Sequence, residues 1–337
     1  MILLCSINCH EYLHCILKVI NHNLKMHHIN FSIIIPHKNI PNLLQRCLDS
    51  IPRRDDVQII IVDDNSEREK VDFENFPGIG RNNTEVYFDK TGRGAGHARN
   101  VGLSMATGTW LIFADADDFF SKNFDYILDE HLCKYVDVDI VYYDFNAVYS
   151  EDTDLGCTLN EHLKLDKFAS AKESIRYKHL VPWAKIIRLD LIKHYNCKFD
   201  EVRWGNDTYF NMLAGVLAKK VCIDDSILYI QTKRRNSLTS QFCSTNEELS
   251  CRIHGTLKAS LFAVDYGYQD AISLMYGYIT LLFQRSKYLM FMQTISRLKG
   301  ESLRLCYRHI ANGANMRGRL LINILFVLAK ILPIKRI

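Results

Sequence analysis

Three short apolar runs, each stopped at once by a polar cluster, constrain this chain more than any other feature. Phe31 to Ile35 ends in Pro36-His37-Lys38-Asn39. Val57 to Val62 ends in Asp63-Asp64-Asn65-Ser66, and Trp110 to Ala114 ends in Asp115-Ala116-Asp117-Asp118. A continuous apolar, β-branched run without alternation reads as a strand covered on both faces, the habit of parallel sheets. Between the runs, residues 42–50 put Leu43, Leu44, Cys47 and Leu48 on one side of a helix. Residues 95–106 read as a second helix, stopped by Gly108. With a short strand at 86–88, the order is β-α-β-β-α-β. This predicts an α/β fold with a mainly parallel sheet, whose ligands bind at the C-terminal edge of the strands.

Further along, residues 139–148 form an aromatic-rich strand, helices fall near 168–178 and 206–218, and a strand near 226–231. Beyond residue 246 the pattern is helical. The expected division is an extension over 1–30, an α/β domain over 31–240 and a helical region over 241–337. The α/β domain divides again into 31–120, which holds the three runs, and 121–240.

The 337 residues carry a net charge of +4, too little to argue for nucleic acid as a partner. Eleven cysteines without a disulfide-like framework read as reduced thiols in a cytoplasmic protein. Cys5, Cys9, His10, His14 and Cys15 fit no common zinc spacing. The apolar stretch in the first 25 residues has no signal-peptide cleavage site, and Met26 is a second candidate start. Residues 317–337 hold an apolar run, Leu320 to Leu332, between Arg-Gly-Arg and Lys335-Arg336. Asn323 and Lys330 interrupt it, and it falls short of the ~20 apolar residues a bilayer span needs. Two readings stay open: a helix lying at a membrane surface, or a helix packed on the α/β domain.

Four clusters carry possible chemistry. Asp115, Asp117 and Asp118 repel one another unless a cation or hydrogen-bond donors offset them. Such hard oxygens suit Mg²⁺ or Mn²⁺ bridging substrate phosphates, though an acidic capping loop would look the same. In Asp63-Asp64, one carboxylate can accept from the N3–H of a uracil and the other, for which Asp63 is favoured, can serve a turn. Gly92-Arg93-Gly94-Ala95-Gly96-His97-Ala98-Arg99 lacks both the dinucleotide and the Walker patterns. It is a glycine-rich turn feeding a helix N-terminus, with Arg99 in its first turns. Asp207, in Gly205-Asn206-Asp207-Thr208, is either a general base or a helix cap.

These four sites, in this order, resemble glycosyltransferase family 2, inverting enzymes of the GT-A fold that includes builders of bacterial surface polysaccharides. The likeness lies in Ile-Ile-Ile-Val-Asp-Asp-Asn-Ser (59–66), in the block from Gly96 and in Gly108-Thr-Trp-Leu-Ile-Phe-Ala-Asp-Ala-Asp-Asp. It is dense over 31–120 and thins toward 240. The resemblance implies that Pro36, Lys38 and Asn39 belong to the nucleotide loop and that Asp64 holds uracil. Arg99 would support the pocket, and Asp115 would meet the ribose or an outer metal shell. Asp117 with Asp118 would bind a divalent metal, Mn²⁺ or Mg²⁺, and Asp207 would be the base. Arg235, in Arg-Asn-Ser-Leu-Thr, would close over the donor, and Trp183 and Lys185 match a recurring element. Lys38 stands where many members carry an aromatic residue, and Asn206 where Glu is frequent. The implied activity is metal-assisted, inverting transfer of a sugar, from a UDP-sugar by expectation, to a saccharide or lipid-linked acceptor. The implied setting is the cytoplasmic face of the inner membrane. A nucleotidyltransferase would want a glycine-rich loop after the first strand, and Pro36 to Asn39 has no glycine. A non-catalytic sugar-nucleotide binder could lose the base or the metal carboxylates, and this chain keeps them.

Overall fold

Side chains of the first strand already separate the two layers of the core. In β1 (Phe31–His37), Phe31, Ile33 and Ile35 enter one apolar cluster, while Ile34 enters the cluster on the opposite face. β2 (Val57–Asp64) divides in the same way, Ile59 and Ile61 against Ile60 and Val62. Both faces are therefore dry, which is why these segments read as unbroken apolar runs. The computed structural model describes residues 28–149, 158–159, 172–233, 245–314 and 316–331.

After β1 come α1 (Pro41–Asp49), β2, β3 (Thr84–Asp89), α2 (Ala95–Met105) and β4 (Trp110–Phe113). Strands β3-β2-β1-β4 are parallel neighbours, in register Ile33↔Ile59 and Ile33↔Ile112. The chain continues through β5 (Phe119–Phe120), α3 (Phe124–Lys134), β6 (Ile140–Tyr149), β7 (Thr158–Leu159), α4 (Ile175–Lys178), β8 (Lys185–Arg188), α5 (Leu189–His194), α6 (Thr208–Leu217) and β9 (Val221–Lys233). β8 inserts antiparallel between β4 and β6, and β9 lies parallel to β6, giving the order β3-β2-β1-β4-β8-β6-β9-β5 with β7 on β6.

The expected elements over 31–120 are present. The segment near 168–178 is helical over 175–178 after a tight turn at 172–174, and its first residues lie outside those described. The strand expected at 226–231 runs longer, from Val221 to Lys233. α3, β5, β8 and α5 are additions to the sequence reading.

Beyond β9, α7 (Asn246–Asp265), α8 (Tyr276–Gln284), α9 (Tyr288–Ser296), α10 (Gly300–Asn312) and α11 (Met316–Ile331) bury an apolar core of their own. A small cluster of Tyr177, Met212, Val216, Ala259, Ala263 and Ala271 joins them to α4 and α6. Two close approaches tighten the α/β part. A methyl on Gly108 would press on the backbone of Ser32, and one on Gly215 would overlap the carbonyl of Arg176.

Candidate functional site

Parallel strands leave their last carbonyls and side chains at one edge, and the polar clusters collect there. At the end of β1, His37 Nε2 accepts from the Ile40 N–H, so Nδ1 carries the proton and donates to Asp63, 2.8 Å away. Asp63 also accepts from the backbone N–H (3.0 Å) and hydroxyl of Ser66, and the Asn39 N–H donates to that hydroxyl. Burial pushes the Asp63 carboxyl up, but these donors outweigh it and hold it below the usual range. Asp63 is thus a clamp between the two strand ends, the structural role favoured for it. Asn39 and Asn65 take the left-handed backbone that turns the chain away from each strand.

Asp64 is 5% exposed. One carboxylate oxygen accepts from the Gly94 N–H at 2.8 Å, and the other faces the Lys38 ammonium at 3.3 Å. The glycine-rich turn is therefore tied to the end of β2, and φ of +90° at Gly94 requires glycine. α2 follows. Its Arg99, buried, donates to Asp115 at 2.6 Å and to the Asn206 side chain at 3.0 Å, with its guanidinium over the Phe199 ring. From the loop after α5, Glu201 grips the turn through Arg93 and the helix through His97 and Asn100.

The acidic cluster is a tight turn closed by the Asp118 N–H on the Asp115 carbonyl, 3.0 Å. Ala116 and Asp118 point inward, while Asp115 and Asp117 are half-buried. Asp118 accepts from the Thr232 N–H at 2.6 Å and from the Tyr229 hydroxyl at 2.8 Å, and that hydroxyl accepts from the Asp115 N–H. Arg46 reaches from α1 to the Asp117 carbonyl and Thr232. Burial, with Asp117 and Asp115 beside it, pushes the Asp118 carboxyl well above the usual range. The sequence paired Asp118 with Asp117 as a ligand; here both oxygens of Asp118 hold the turn to β9.

Among the described residues no three His, Cys, Asp or Glu side chains form a cage for a metal ion. Asp115 and Asp117, both half-buried, are hard carboxylates of the kind that suits Mg²⁺ or Mn²⁺. Such ions take their remaining oxygens from water and phosphate.

Asp207 stands at the N-cap position of α6, yet its side chain makes no capping hydrogen bond. Its backbone carbonyl accepts twice from Asn211, whose amide oxygen takes the Lys185 ammonium at 3.0 Å. Burial pushes the Asp207 carboxyl above its ordinary value, Arg99 pulls it down and Asp115 raises it. Burial brings Lys185 down to about 7. Trp183 stacks on Tyr229, rings 5.1 Å apart, and so backs the acidic turn. Cys47, buried near the same turn, has its thiol pushed up by burial and by the three aspartates, so it is no nucleophile.

The edge therefore gathers Pro36, Lys38, Asn39, Asp64, Arg99, Asp115, Asp117, Asp118 and Asp207; Arg235 lies outside the described residues. The sequence reading missed Tyr229, Thr232 and Arg46. Thr232 and Arg46 show only as polar residues near apolar ones, and Tyr229 gives no local signal. Tyr229→Phe is expected to leave the Asp115 N–H and one Asp118 oxygen without a buried partner. It should cost about 1–3 kcal/mol in urea denaturation; a midpoint like the parent's would show that the hydroxyl does not hold the turn.

The sequence model of Glycosyl transferase family 2 matches residues 32–195. An uncharacterized glycosyltransferase, EpsJ of Bacillus subtilis, is 28% identical over 219 residues, 62% of this chain and 62% of its own length. The chain thus spans under two thirds of that relative. The crystal structure of S. aureus TarS 1–349 in complex with UDP-GlcNAc superposes with a TM-score of 0.58 at 19% identity, over 89% of this chain and 87% of that one. A mannosyltransferase, PcManGT from Pyrobaculum calidifontis, in complex with GDP-Man and Mn²⁺, superposes with a TM-score of 0.51 at 14% identity, over 94% and 92%. The GT-A fold expected from the sequence is the fold found.

Proposed function

We propose, from the match of residues 32–195 to the sequence model of Glycosyl transferase family 2, that this chain transfers a sugar from a UDP-sugar to the hydroxyl of a saccharide or lipid-linked acceptor, with inversion. We take its setting to be the assembly of cell-surface polysaccharide at the cytoplasmic face of a membrane, with contact through residues 317–337. The observation that carries the reading is the linkage Asp207–Asn206–Arg99–Asp115. Asp207 and Asn206 are neighbours in the chain, and Asn206 and Asp115 bond the same guanidinium. A carboxylate free of capping duty is thereby set beside the turn that would face the diphosphate.

In this reading Asp64 accepts from the uracil N3–H while Pro36, Lys38 and Asn39 border the nucleotide. Lys38, half exposed next to Asp64, replaces a stacking ring with a cation suited to phosphate. Asp115 faces the ribose. Asp117 would hold the divalent metal, which supplies positive charge to the leaving diphosphate; Asp118 positions that turn rather than binding the ion. The manganese bound in the Pyrobaculum enzyme supports this kind of cofactor. Asp207 takes the proton of the acceptor hydroxyl as its oxygen attacks the anomeric carbon and the bond to the diphosphate breaks. Arg235, beyond the described residues, is assigned to the donor side.

The test is a panel of nucleotide sugars with the purified chain, scored by released nucleoside diphosphate with and without saccharide acceptors. Turnover of at least one donor is expected; binding without any release across the panel would leave a sugar-nucleotide binder. Base choice is tested separately. Asp64→Ala should weaken UDP by about ten- to a hundredfold in calorimetry, since a charge-assisted hydrogen bond contributes about 1.5–3 kcal/mol. Unchanged UDP affinity, or tighter GDP than UDP binding by the parent chain, would remove Asp64 from base recognition.

A further inference from the structure

Helix α11 has two apolar faces, and one is covered. Ile322, Leu325, Phe326 and Ala329 are buried in the core of the C-terminal helices. On the opposite side Met316, Leu320, Ile324, Val327 and Ile331 are 47% to 87% exposed. Steps of four, four, three and four residues keep these five in one line along the helix. Single exposed apolar residues are ordinary; a continuous line of them marks an interaction surface. Beside the line runs a groove of about 450 Å³ between α10 and α11, where Val327, Tyr307 and Leu303 meet Arg304 and Lys330.

Charge says what would cover this face. From residue 271 to 337 the sequence has eleven Lys and Arg against a single acidic residue, Glu301, whereas the whole chain has 42 against 38. Arg304, Arg308, Arg319 and Lys330 are all exposed. A second copy of the chain would bring two strongly basic surfaces together, which repel. A nucleic acid would leave the apolar line in water. Among the described residues no helix is long and apolar enough to cross a membrane.

We propose that this face seats on an anionic phospholipid surface, with the line Met316–Ile331 at the acyl boundary and the basic side chains at the headgroups. The proposal defines the membrane contact of the reading above but does not rest on catalysis, and its test reads no activity.

The full chain is floated with vesicles of phosphatidylcholine and phosphatidylglycerol, and with phosphatidylcholine alone, at low and high salt. Flotation at least about tenfold stronger with the anionic vesicles, and weakened by salt, is expected. Ile324→Glu/Val327→Glu should lose at least about tenfold of that binding with little change in melting temperature, because both side chains are about half exposed. Arg304→Gln/Lys330→Gln should lose about tenfold or more while the apolar line stays intact, and it carries the test if the first variant fails to fold. Equal flotation with neutral vesicles overturns the proposal. So does parent-like binding by both variants. So does a parent dimer that Ile324→Glu/Val327→Glu dissociates without either form binding vesicles.

Discussion

Asp207→Asn is expected to keep its fold and its UDP affinity and to lose sugar transfer by at least about a hundredfold, the low end of what a general base contributes. A cap needs only an oxygen that accepts from a backbone N–H, so asparagine would serve a cap almost as well. The side chain of Asp207 caps nothing, and that argues for the proton-accepting role. Stability points the same way. The carboxyl is pushed above its ordinary value in the fold, so the folded protein holds its proton to higher pH than the unfolded chain does. Between the ordinary value and the raised one, stability falls as pH rises, and above the raised value the charged form opposes folding. Asparagine removes that opposition, so the melting temperature at neutral pH should stay level or rise. In the parent, kcat/KM should fail in acid at a pH above the ordinary aspartate value of 3.8. Near-normal turnover by Asp207→Asn would send the search for a base to Asp200 and Glu201. Both are already engaged, Asp200 with Lys258 and Glu201 with Arg93.

Asp117→Asn carries the second large effect. If Asp117 holds a divalent ion at the leaving diphosphate, the variant should transfer sugar at least about a thousandfold more slowly, since such charge stabilisation is worth several kcal/mol and each 1.36 is tenfold. Excess chelator should silence the parent equally, and Mn²⁺ or Mg²⁺ should restore it. The fold should survive, because the turn is held by Asp118, Tyr229 and Thr232. Full activity of the parent in chelator would refute the metal assignment.

The sequence exposed residues 31–120 well because their strands are buried on both faces. Ile33, Ile34 and Ile35 cannot be anything but interior, and the polar residues after each run have one place to go. The next half was harder to read. β8 is four residues long and includes a fully buried lysine, Lys185, which opposes any strand reading. α3 carried a helical spacing in Phe124, Ile127, Leu128 and His131, but the polar residues between them blurred it. In the candidate site, Asp64, Asp115 and Asp117 stand in local motifs, while Tyr229 acts across more than a hundred residues of chain. A tyrosine in a β-strand says nothing by itself about a hydroxyl shared between two aspartates. The structural role favoured for Asp63 agrees with its bonds to His37 and Ser66.

The clasp between α2 and the loop before α6 bears on how such chains can be recombined. The segment shared with the family stops at residue 195, but Asn206, which Arg99 grips, and Glu201, which holds Arg93 and His97, come after it. Gly96 lies so close to the Asp200 carbonyl that one added methyl would overlap it. A chimera that joins the first half of this chain to the second half of a relative would cut through these contacts. To keep Arg99 bonded to Asn206 and Glu201 bonded to His97, residues 93–100 and 199–207 would have to be transplanted together, as one inheritable unit in two pieces.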